Sequence, residues 1–218
     1  MRRTLLPALA MILALPAAAQ AQSPHFGVAL NLLVPTGEFN QSELHYVHPT
    51  GGPSTIKEGY DTGLGAQFWV SLPVNRTVAF RFNLSGSSND GSYDDPNYPR
   101  YNARQTMFSI GTELQLFLQE GAFSHKGSYL YGGIAADFER FDLGYGDLNS
   151  NGYYYNSDIV DTTRKTRLGG NFGFGHSFGY AGGVRFNMEV GYHATLQDRK
   201  AGDPPKSDSV KIGFGIVF

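Results

Sequence analysis

The chain has 218 residues, 17% of them charged, no cysteine, and a formal net charge of −2. That composition excludes a disulfide framework and a thiolate metal centre, and it lacks the basic stripe that a nucleic-acid partner requires. The 28 glycines, 13 tyrosines and 16 phenylalanines suit a β protein built on aromatic faces.

Residues 1–22 read as a secretory signal: Arg2 and Arg3, an apolar run from Leu5 to Leu15, then Ala-Gln-Ala at 19–21 as a cleavage site. Its removal takes two positive charges and leaves a net charge of about −4. No later apolar run approaches the roughly 20 residues of a membrane helix. Residues 23–218 show no break in composition and read as one domain.

From Phe26 onward the hydrophobic period is two. Phe26, Val28, Leu30, Leu32 and Val34 alternate with Gly27, Ala29, Asn31 and Leu33. Leu64 to Leu72 alternate with Gly63, Gly65, Gln67, Trp69 and Ser71, and Val78 to Leu84 with Ala79, Arg81 and Asn83. Phe108 to Leu118 oppose Ser109, Gly111, Glu113 and Gln115, and Leu130 to Phe138 oppose Tyr129, Tyr131, Asp137 and Glu139. Leu168, Phe172, Phe174 and Phe178 oppose Arg167, Asn171 and three glycines. Val184 to Tyr192 oppose Arg185, Asn187, Glu189 and His193, and Val210 to Phe218 oppose Lys211, Gly213, Gly215 and Val217. These eight segments approach the 9–11 residues that cross a bilayer as a tilted strand. Short turns at Pro73–Arg76, Gln119–Gly127 and Gly179–Gly182 alternate with long polar loops at Thr36–Gly59, Gly86–Ala103, Gly144–Thr163 and Gln197–Ser207. Short turns at one end and long loops at the other are the pattern of a transmembrane barrel.

The two faces differ in size and charge. Large apolar residues on all eight segments would crowd the interior of an eight-stranded barrel, whereas glycine mixed with a few long polar residues fits it. The polar faces carry Arg81, Arg167, Arg185 and Lys211 against Glu113, Asp137, Glu139 and Glu189. A closed interior needs such a balance, because an unpaired buried charge is costly. The expected fold is therefore an all-β, eight-stranded antiparallel up-and-down barrel with its apolar face in lipid. These eight residues form its lumenal charge network, with Arg185 expected to reach Glu113 or Glu189.

The signal segment, the eight strands, the opening Gly-Val-Ala-Leu-Asn-Leu-Leu-Val-Pro-Thr-Gly-Glu-Phe at 27–39 and the closing Gly-Ile-Val-Phe resemble the small bacterial outer-membrane barrels of OmpA/OmpX type. The resemblance implies residence in the outer membrane among its lipids. It also implies that Phe218 is part of the signal read by the barrel-assembly machinery. No peptidoglycan-binding domain follows the barrel, so anchoring through one is not expected.

Other constellations are weaker. His176-Ser177, with Glu189 beyond, invites comparison with lipid A deacylases of PagL type, but adjacent strand residues point to opposite faces, so base and nucleophile do not meet. Asp147, Asn149, Asn151, Gly152 and Asp158 match the spacing of a calcium loop, though with only two carboxylates and with residues any exposed turn uses. His45 and His48 lack a third metal ligand. Tyr93, Tyr98, Tyr101, Tyr145 and Tyr153 to Tyr155 give the loops a composition suited to recognition, and equally to interfacial anchoring. The expectation is a non-enzymatic barrel without a cofactor, with a structural or adhesive role at the cell surface and an extracellular ligand at its loops. A narrow pore for small solutes is the alternative, and a lipid-modifying enzyme is the less favoured third.

Overall fold

The computed structural model describes residues 23–40, 42–47, 53–94, 101–119, 126–145, 147–148, 154–155, 159–179, 184–198, 200 and 203–218. The expected signal segment lies outside them. The strands are β1 (His25–Pro35), β2 (Ser42–Val47), β3 (Pro53–Tyr60), β4 (Gly63–Pro73), β5 (Val78–Asp94), β6 (Tyr101–Phe117), β7 (Gly127–Tyr145), β8 (Asp147–Leu148), β9 (Tyr154–Tyr155), β10 (Ile159–Gly179), β11 (Arg185–Thr195) and β12 (Ser209–Val217). Eight of them close a ring in the order β5-β4-β1-β12-β11-β10-β7-β6 and back to β5. Every neighbouring pair is antiparallel. First and last strands meet at the seam, where Phe218 N–H donates to Phe26 O at 2.8 Å.

The alternation decides which medium surrounds the ring. Leu30 is 72% exposed and Leu64 71%, while Arg81 is 0% exposed and Glu113 and Asp137 1% each. A water-soluble barrel would invert that order, so the apolar face meets lipid. Interior glycines make room for inward aromatic rings. A Cβ on Gly27 would lie 2.2 Å from the Trp69 ring, and one on Gly175 2.2 Å from that of Tyr129.

The strands are unequal. β1, β4 and β11 have 11 residues each and β12 has 9, close to one bilayer crossing. β5 and β6 have 17, β7 has 19 and β10 has 21. At about 3.3 Å per residue, these four adjacent strands outrun the others by roughly 20 Å or more along their length. The turn end is even, with Asn75 Oδ1 accepting from the N–H groups of Thr77 and Val78, so the excess stands at the loop end. There β3 takes over from β4 as the partner of β5, pairing Lys57↔Asp94 through Tyr60↔Gly91, and β2 pairs with β3. From Ile159 to Leu168, β10 has β7 on one side, and its pairing with β11 starts only at Gly169. The loop end is thus an open, six-stranded wall above a closed barrel.

The expected loops need correction here. Much of Gly86–Ala103 and the end of Gly144–Thr163 are strand, and Thr36–Gly59 holds a 3-10 turn (Gly37–Phe39) and the β2–β3 hairpin. On β5 beyond Gly86 both faces are polar, with Ser88 and Asp90 outward and Ser87 and Asn89 inward, so the period-two signal fades although pairing continues.

Candidate functional site: the lumen

Arg81 occupies the middle of the barrel. It stands on β5, in register with Ser71 on β4 and Glu113 on β6. Glu189 stands on β11, four strands away by either route round the ring, and so diametrically opposite. The guanidinium spans that diameter. Its Nε donates to Glu113 Oε2 at 2.7 Å, and its terminal nitrogens pair with both Glu113 and Glu189. Its carbon lies 4.8 Å from the ring centre of Tyr131 and 5.6 Å from that of Trp69. Arginine suits this position because its planar fork pairs with two carboxylates while its faces stack on rings. Lys211 balances the second carboxylate, with Nζ 3.7 Å from Glu189 Oε2 and 3.1 Å from Gln67 Oε1. The Tyr129 hydroxyl donates to Glu189 Oε1 at 2.6 Å. Two cations and two anions therefore share one layer, in which Arg81, Glu113 and Glu189 are buried and Lys211 is partly buried.

A second layer lies nearer the loop end. Ser109 Oγ donates to Asp137 Oδ1 at 2.6 Å, and His193 presents Nε2 to the other oxygen at 3.2 Å and Nδ1 to Asn171 at 2.9 Å. Arg167 pairs with Glu139 at 3.1 Å and donates to the carbonyls of Pro204 and Pro205 at 2.7 and 2.6 Å. Those carbonyls belong to the β11–β12 connection, which folds inward. Pro205 and Ser207 are fully buried there, and the Ser207 hydroxyl donates to Glu139. On the same face of β10 as Arg167, two residues nearer the loop end, Lys165 donates to Asp203 and holds its carboxyl below the usual carboxylate range. Phe39, Tyr60 and Phe141 pack beside Arg167, with Phe39 stacked on Tyr60 at 4.7 Å. Between the two layers, a cavity of about 40 Å³ lined by Asn31, Asn83, His193 and Lys211 has room for a few waters.

An eight-stranded antiparallel barrel with lipid outside and charge inside is the architecture of one broad class, and sequence agrees. The model of the outer membrane protein beta-barrel domain matches residues 7–218. The chain belongs to that family. OprG of Pseudomonas aeruginosa has the same fold, with a TM-score of 0.57 at 12% identity over 92% of this chain and 98% of that one. Neisserial surface protein A aligns with a TM-score of 0.48 at 13% identity over 90% of this chain and 98% of that one. Ail of Yersinia pestis, in complex with the heparin analogue sucrose octasulfate, aligns at 0.49 and 13% over 90% and 100%. No curated protein matches by sequence. The chain is a small barrel of the bacterial outer membrane, with the short turns, the start of β1 and the end of β12 on the periplasmic side and the wall on the other.

Within this outer-membrane barrel the remaining candidates separate. Arg185 sits at the periplasmic end, in register with Val217, and contacts His25 Nδ1 at 2.6 Å. The expected Arg185–Glu113 pairing is corrected, since Arg81 occupies Glu113. His176 faces outward against Ser128 and Phe178, while Ser177 faces inward to Asn187, so the two do not form a catalytic pair. Asn149, Asn151 and Asp158 of the calcium spacing lie outside the described residues, as does His48, and Asp147 is described only as strand. Phe218 points outward beside the seam and is 57% exposed. The role of Ser207 and the Pro204 and Pro205 carbonyls was not readable, because a Pro-Pro-Lys-Ser stretch has the composition of any exposed loop.

Proposed function

We propose that this barrel is a non-conducting surface protein, whose lumen is an anchor core and whose working face is the sheet that β5, β6, β7 and β10 raise above the membrane. The observation that carries this reading is the unequal strand length. A bilayer crossing needs 9–11 residues, and the additional residues of four adjacent strands are not needed for the crossing itself. The wall ends in a row of tyrosines by register, Tyr93↔Tyr101 and Tyr101↔Tyr145. Tyrosine supplies rigid amphipathic area suited to recognition of an extracellular ligand. The Arg81 layer and the inward β11–β12 connection support the non-conducting half of the proposal. Phe218, outward at the end of β12, is the assembly signal on the same reading.

The test is display of the full chain on bacterial cells, beside a variant whose β5–β6 and β7–β10 hairpins are shortened to the level of β4. Both are offered immobilised glycans and extracellular-matrix proteins. Binding that the full chain has and the shortened, still heat-modifiable barrel lacks supports the proposal. Binding unchanged by shortening, or absent from both, contradicts it.

A further inference from the structure

The outward face of the wall carries an unusual pairing. Arg140 on β7 and Arg164 on β10 are direct cross-strand partners, and Thr106 on β6 flanks Arg140 on its other side. Like charges directly opposite one another in a sheet are destabilising. The row below them reads Phe108, Phe138 and Thr166, with both phenylalanines exposed to lipid and their rings 6.3 Å apart. The row above reads Arg104, Asp142 and Thr162. Carboxylates answer two of the three arginines. Asp90 accepts from Arg104 at 2.7 Å, and Asp142 accepts from Arg140 at 2.9 Å and from Thr162 at 2.7 Å. Arg164 makes no side-chain hydrogen bond or ion pair with any described residue. The patch therefore holds one uncompensated guanidinium beside a second that is 45% exposed.

Height fixes what meets this patch. On β7 the outward residues from Leu130 to Phe138 are the apolar band, nine residues long, and Arg140 is the next outward residue. That band is one bilayer crossing, so the Arg140–Arg164 rung stands at the headgroup level of the outer leaflet. A phosphate there is reached by two planar donor forks and the exposed hydroxyls of Thr106 and Thr166, while acyl chains lie along the phenylalanines beneath.

We propose that Arg140 and Arg164 form a binding site for the phosphate of a phosphorylated glycolipid of the outer leaflet. The site is separate from the lumen and from the tip of the wall, and it orients the barrel against the membrane surface.

The experiment uses the refolded full chain in neutral detergent micelles, with bound lipid counted by native mass spectrometry. Diphosphoryl lipid A, its fully dephosphorylated form and inorganic phosphate are the probes. The parent should retain one diphosphoryl lipid, and Arg140→Gln with Arg164→Gln should bind it roughly tenfold or more weakly. Arg76→Gln, in a periplasmic turn, should leave retention unchanged. The dephosphorylated lipid should bind both forms weakly and alike, and inorganic phosphate in excess should not displace the lipid. Heat-modifiability on gels verifies that each variant is folded, and the exposed single change Arg164→Gln repeats the test if the double variant is not. Equal retention by parent and variants, or equal binding of the dephosphorylated lipid, overturns the proposal. Displacement by inorganic phosphate alone makes the site a free-anion site and overturns the lipid assignment.

Discussion

Arg81→Ala removes the guanidinium that ties β5 to β6 and, across the lumen, to β11. Arg81 is wholly buried, and its loss leaves Glu113 and Glu189 facing each other with Lys211 as the remaining cation, 3.7 Å from Glu189. Stripping one partner from a buried ion pair costs about 3–5 kcal/mol, because the surviving charge stays desolvated. Two carboxylates survive here, and Lys211 answers only one of them, so a loss of about 3 kcal/mol or more is expected. The assay is urea unfolding of the refolded barrel in lipid vesicles. The chain's single tryptophan, Trp69, packs 5.6 Å from the Arg81 guanidinium and reports the transition by fluorescence. Arg81→Met combined with Glu113→Gln removes one charge of each sign, leaves the Lys211–Glu189 pair in place, and should recover most of the loss. A change below about 1 kcal/mol for Arg81→Ala alone would mean that lumenal water already screens the layer, and the account of a layer closed by Arg81 would fall.

Leu114→Arg on the lipid face should cost about 2–4 kcal/mol in the same titration, while its neighbour Gln115→Leu, which forfeits one 2.8 Å hydrogen bond from Ser71, should cost about 1 kcal/mol. Gly27→Ala should destabilise by about 1–3 kcal/mol and shift Trp69 emission, since the new Cβ meets the indole at 2.2 Å. Arg167→Ala should free the β11–β12 connection, seen as faster proteolysis between Leu196 and Asp208 of a barrel that stays folded. The Lys165–Asp203 contact holds the Asp203 carboxyl below its usual range, so its contribution is full above pH of about 4 and fades as pH falls through the lowered value. Hydrogen exchange around Asp203 should therefore be flat from neutral pH down to about 5, after correction for intrinsic rates, and rise only below about 4.

The barrel was legible because lipid enforces a strict alternation. Leu114 and Gln115 differ in one position of a period-two pattern, and the structure puts them on opposite faces. The wall was not legible for the converse reason. Ser87, Ser88, Asn89 and Asp90 continue β5 beyond the bilayer, where both faces accept polar residues and strand and loop have one composition. The inward charges could be enumerated from sequence, but their heights could not. Barrel stagger places Glu189 level with Arg81 from the far wall, and places Arg185, only four residues earlier on β11, at the periplasmic mouth. Register across a closed sheet depends on all eight pairings at once, and no local spacing reports it.

The central claim is that the lumen is closed at the Arg81 layer. Single-channel recording of the refolded chain in planar bilayers tests it most directly. A closed layer gives no steady conductance in the parent protein, with opening seen only when Arg81→Ala clears the diameter. A large, steady conductance in the parent would contradict the closed layer and make the barrel a pore.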